Sequence, residues 1–105
     1  MVPIMIDVIA SIRIRPGGRK EFLERFKANV PNVLAEDGCI RYQPSIDVDS
    51  GIAVQETDEN VVTIVEQWAS LDALHAHLAA PHMAAYREQV RDLVEGMTLK
   101  VLQAA

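Results

Sequence analysis

The spacing of apolar and polar positions changes several times along the chain, and each change marks an element. In the opening segment Ile4, Ile6, Val8, Ile12 and Ile14 share one parity, while Met5, Ile9 and the smaller Ser11 fall on the other. This is the two-residue alternation of a β-strand, and apolar residues on both sides predict cover on both faces. After the turn-forming "RPGGRKEF", Phe22, Phe26, Val30 and Val33 recur at three- and four-residue spacing, which predicts an amphipathic helix laid on the strand. Pro31 falls inside that pattern, where a missing backbone donor predicts a kink or break near Asn29. Gly38 closes the segment.

"CIRYQPSIDV" and "NVVTIVEQW" read as a second and a third strand, with Pro44 placed at an edge or bulge. The acidic connection "DVDSGIAVQETDEN" joins them and contains one short apolar island. Ser70 is a suitable N-cap for a helix whose buried stripe is expected to be Leu71, Leu74 and Leu78. Pro81 suits the first turn of another helix, running to Gly96, because its absent N–H would be unpaired there in any case. "MTLKVLQA" closes the chain as a last strand. The order β-α-β-β-α-α-β predicts an α+β domain of the ferredoxin-like, split βαβ kind, with helices on one face of an antiparallel sheet. The bare face, apolar in its first strand, is expected to be covered by a second copy in a symmetric homodimer.

At 105 residues the chain is expected to form one domain, residues 1–105. A formal net charge of −5, with no cluster of Lys or Arg, argues against nucleic acid and anionic membranes as partners. The apolar opening is interrupted by Asp7 and Ser11 and lacks a basic flank, so neither a signal peptide nor a membrane anchor is expected. A single cysteine, Cys39, forms no internal disulfide, which suits a reducing cytoplasm.

The candidate chemistry lies between Glu66 and Tyr86, in "EQWASLDALHAHLAAPHMAAY", which holds all three histidines and the one tryptophan. His75 and His77 point roughly opposite ways on a helix and lie on the flanks of the leucine stripe, so they do not face one metal ion together. The acidic "DVDSG" lacks the distal glutamate of a calcium loop and reads as a solvated turn. Cys39 reads as a buried small hydrophobe rather than a nucleophile, and no phosphate-binding glycine loop is present. Glu66 and Trp68 share a parity on the third strand. If they face the helices, Glu66 is a partly buried carboxylate that needs a donor, and a histidine of the next helix is the nearest candidate; otherwise it lies near the strand edge in water.

The residues "EDGCIRYQ" at 36–43 and "VEQWASLDALHAHLAAPHMAAY" at 65–86, with the element order, resemble the antibiotic biosynthesis monooxygenase (ABM) family of dimeric α/β-barrel proteins over almost the whole chain. The resemblance implies a mainly apolar pocket between sheet and helices, with the other face of the sheet in a dimer. It implies a cofactor-independent monooxygenase or oxidase of quinol-like or polycyclic phenolic aromatics, without metal or flavin. His77, His82 and Glu66 would carry the acid-base work, with His77 inside the pocket, and Tyr42, Trp68 and Leu74 would hold the ring. Haem-degrading members carry a strand asparagine, a pocket tryptophan and a helical histidine where an ungapped reading finds Ala10, His77 and Arg87, so haem degradation is disfavoured. Two other readings stay open: an isomerase of a small carbonyl compound using the same base, and a non-enzymatic dimeric ligand-binding or stress protein.

Overall fold

The structure, a computed structural model, describes residues 4–105; the first three positions of the apolar opening lie outside the described residues. The elements run β1 (Ile6–Ile14), α1 (Arg19–Leu34), β2 (Cys39–Ser45), β3 (Val61–Trp68), α2 (Leu71–Ala79), α3 (Pro81–Val90) and β4 (Val94–Leu102). Four antiparallel strands form one sheet in the order β2-β3-β1-β4, the expected ferredoxin-like α+β arrangement. Central β1 pairs along its length with β3 (Ile6 opposite Trp68, Ile12 opposite Val62) and with β4 (Val8 opposite Val101). Its even positions, Ile6 to Ile14, are all buried beneath the helices together with Val62, Ile64 and Trp68 of β3. Phe22, Phe26 and Val33 of α1 fill the space above them.

Pro44 lies in β2, an edge strand, where its missing donor costs no ladder bond to a further strand. β2 ends at Ser45 rather than Val48, since its ladder to β3 stops at the Ser45–Thr63 pair. The connection that follows exposes Ile46, Val48, Ile52 and Val54, the last at 89%. Pro31 does not break α1, which continues through it to Leu34. Pro31 and Lys27 are both exposed, so the Lys27 carbonyl that loses its partner can be hydrated.

Two helix expectations change. On α2 the buried residues are Leu74 and His77, while Leu71 and Leu78 are 50% and 42% exposed. Gly38 explains the rotation: at φ +84° it approaches α2 so closely that a Cβ there would lie 2.7 Å from the Ala73 Cβ. The face bearing Ala73, Leu74 and His77 is thereby turned inward. The α3 helix stops at Val90, not Gly96. Leu93 accepts from Arg15 N–H (2.9 Å) and Val94 pairs with Ile14, so β-pairing with the end of β1 takes over from the helix. The far face of the sheet carries Ile9 opposite Val65, bordered by polar pairs such as Ser11–Thr63 and Asp7–Gln67, all half-buried.

Candidate functional site

Between the sheet and the helices lies a cavity of about 380 Å³. Its floor is Ala10, Ile12 and Ile64, its wall includes Phe26, Met83 and Tyr86, and its mouth is bordered by Met97 and Leu99 of β4, which no helix covers. Polar groups reach it at a few points only: Tyr42, Glu66, His77, Tyr86, Arg87 and Arg91. An apolar chamber with a small set of convergent polar groups is the usual form of a small-molecule site.

Glu66, only 6% exposed, takes its hydrogen bond from its own strand: Trp68 Nε1–H donates to Glu66 Oε1 at 2.9 Å. The helix-facing orientation thus holds, but the donor is an indole two residues away rather than a histidine. Burial pushes the Glu66 carboxyl up to about 6; the Trp68 bond opposes that rise, and the Glu36 charge adds to it.

His77 pairs instead with Glu36, a residue that spacing alone does not single out. Its Nδ1 lies 2.7 Å from Glu36 Oε2. A carboxylate only accepts, so Nδ1 carries the proton and Nε2 keeps the lone pair. The ring is 2% exposed, packed on Trp68 (centroids 4.6 Å) and edge-on to Tyr42 (5.3 Å). Burial lowers the His77 pKa, and Glu36 works against that lowering. Among the described residues the one fully buried side-chain polar atom without a hydrogen-bond partner is His82 Nε2. Among the described residues none bonds to His77 Nε2 or to the hydroxyls of Tyr42 and Tyr86, and all three side chains line the chamber. Tyr42 stacks on Phe26 (5.2 Å), and burial raises the phenol pKa of both tyrosines.

The remaining sequence candidates separate from this group. Trp68 and Leu74 are buried behind the lining, Trp68 against His77. His82 faces a second cavity, lined by α1 and α3, and its Nε2 lies 3.4 Å from Glu36 Oε1. His75 is exposed. Cys39 is half-buried, and burial pushes its thiol up to about 11, which suits packing rather than attack. Among the described residues no three His, Cys, Asp or Glu side chains are grouped to hold a metal ion, and no helix is long and apolar enough to cross a membrane. Ala10, His77 and Arg87 do line one chamber. Glu36 opens, and Tyr86 ends, the segments that carry the family resemblance, which was the available signal for both.

Comparison with known proteins agrees with this architecture. YgiN of Escherichia coli (strain K12), described as "Probable quinol monooxygenase", is 43% identical over 101 residues, covering 94% of this chain and 97% of YgiN. Rv0793 of Mycobacterium tuberculosis is 32% identical over 89 residues, covering 85% of this chain and 79% of Rv0793. Its solved structure superimposes with a TM-score of 0.78 at 27% identity, covering 96% and 95% of the two chains. PA3566 from Pseudomonas aeruginosa, at 22% identity, shares the fold with a TM-score of 0.80 over 97% and 95% of the two chains. The family model described as "Antibiotic biosynthesis monooxygenase" matches residues 5–89, and the chain belongs to that family.

Proposed function

We propose that the protein is a cofactor-independent monooxygenase or oxidase of quinol-like or polycyclic phenolic aromatics, with His77 as its base. One observation carries the reading: Glu36 holds His77 Nδ1–H at 2.7 Å, while among the described residues none bonds to its Nε2, beside an apolar chamber. Such a base takes a phenolic proton at Nε2, and Glu36 stabilises the imidazolium that forms. The resulting electron-rich anion passes an electron to dioxygen directly, while the apolar walls exclude water. In this reading the substrate anion is stabilised by the hydroxyls of Tyr42 and Tyr86 and by the Arg87 guanidinium, which line the chamber, Arg87 donating to the Leu78 carbonyl at 2.7 Å. Glu66 is the second acid-base group of the chamber. Trp68 and Leu74 support the ring-binding wall from behind, and His82 acts through Glu36.

The same reading includes a homodimer joined through the open sheet face around Ile9 and Val65. A small-carbonyl isomerase is the second reading, favoured by the presence of two titrating groups, Glu66 and His77, in one chamber. Oxygen uptake by metal-free protein with a panel of hydroquinones and naphthols tests the proposal. Consumption well above autoxidation is expected. No excess uptake, together with exchange of solvent deuterium into small carbonyl compounds, would replace it with the isomerase, and ligand retention without either would indicate a binding protein.

A further inference from the structure

Glu36 has two oxygens, and the pocket histidine uses one of them. The other, Oε1, lies 3.4 Å from His82 Nε2, a few tenths of an ångström beyond a normal N–H···O bond. His82 sits in the second cavity, of about 220 Å³, beside Arg25, Asn29, Asn32 and Gln89. Its tautomer is set by a short chain of amides. Asn32 Nδ2–H donates to Asn29 Oδ1 (3.0 Å), which fixes the Asn29 amide with its own N–H groups toward His82 Nδ1 (3.2 Å) and the Met83 sulphur (3.5 Å). A neutral imidazole that accepts at Nδ1 carries its proton on Nε2. That N–H is the orphaned buried donor, and a buried donor left unpaired is destabilising. A small rotation of the Glu36 carboxylate satisfies it.

We propose that His82 is a positioning residue for the pocket base: held as an Nε2–H donor by Asn29, it competes with His77 for the Glu36 carboxylate. It thereby limits how strongly Glu36 stabilises a proton on His77. The inference rests on the Glu36–His77 pair described for the proposed function, but it concerns the unliganded protein and needs no turnover. The charged or titratable groups facing His77 are Glu36, His82 and Arg87, with the Tyr42 and Trp68 rings packed on it and Glu66 beyond the indole N–H. His82 meets Glu36 on one side and, in its cavity, Arg25. Asn29 is uncharged, so removing its amide alters the tautomer of His82 without changing the charge around either histidine.

Nitrogen-detected NMR of the imidazoles in the 105-residue chain, followed through the neutral pH range, reads both rings directly. Neutral His77 should be protonated on Nδ1 and neutral His82 on Nε2. His82→Ala should raise the titration midpoint of His77, because a competitor for Glu36 is removed, and Glu36→Gln should lower it. His82→Gln, whose amide N–H can reach the same oxygen, should bring the midpoint back toward the wild-type value, which a merely structural role for His82 would not do. Asn29→Ala should mix the His82 tautomers and move His77 in the same direction as His82→Ala. It keeps the ring in place, so it decides the question even if His82→Ala unfolds. A wild-type His82 protonated on Nδ1, or a His77 midpoint indifferent to both variants, overturns the proposal. If these shifts occur while oxygen uptake is absent, the arm stands and the assigned reaction falls; the converse result removes the arm alone.

Discussion

Replacing Glu66 with glutamine isolates the cost of a buried charge. The side chain is 6% exposed and its carboxyl is pushed from 4.5 to about 6, chiefly by burial. A shift of that size corresponds to roughly 2 kcal/mol, at about 1.4 kcal/mol per unit. The folded pKa lies above the unfolded one, so native Glu66 binds its proton more tightly than the unfolded chain does. Its stabilising contribution is therefore complete below about 4.5 and is lost as pH rises through about 6. Glu66→Gln keeps an oxygen to accept from Trp68 Nε1–H and cannot ionise. Denaturant unfolding of both proteins should give similar stabilities near pH 4, with the variant ahead by roughly 2 kcal/mol above about pH 7. That gap is on the order of ten degrees in melting temperature for a domain of this size. Taking the difference between the two proteins cancels carboxylates and histidines common to both. A gap that does not change with pH, or a variant that falls behind at neutral pH, would show that Glu66 is hydrated and that its burial carries no charge penalty.

Three further outcomes follow from the same geometry. Gly38→Ala should destabilise by more than about 1 kcal/mol in thermal or denaturant melts, since the new Cβ meets Ala73 at 2.7 Å on a backbone with φ +84°; full stability would mean that α2 can recede without cost. His77→Ala should lower turnover by roughly 10²–10⁴-fold and, because the ring is wedged against Trp68 and Tyr42, should also cost about 1–3 kcal/mol. Exposed His75→Ala should change neither quantity, and identical behaviour of the two variants in activity and stability would sink the pocket assignment. Ile9→Asp should yield a folded monomer by light scattering where the wild type is dimeric, whereas a monomeric wild type at micromolar concentration would remove the proposed interface.

Local periodicity was enough to place seven elements, to allow Pro44 at an edge or bulge and to put Glu66 and Trp68 on one face of the third strand, while the residues at 36–43 and 65–86 suggested the family. These properties depend on residues within a few positions of each other, where the pitch of a helix or the pleat of a strand fixes which side chains share a face. Contacts between distant segments decided the rest. Pro31 predicts a kink or break near Asn29, but a sequence does not show that the carbonyl it frees will face water, where α1 can continue unbroken. The end of α3 lay six residues earlier than its pattern suggested because Val94 had Ile14 to pair with. The inward face of α2 was chosen by the approach of Gly38 to Ala73, which exposed Leu71 and buried His77. That same approach accompanies the placing of Glu36 against a histidine 41 positions away. The family resemblance could nominate His77, but its proton partner, and hence which ring nitrogen is left free for a substrate, depends on long-range packing that local periodicity does not encode.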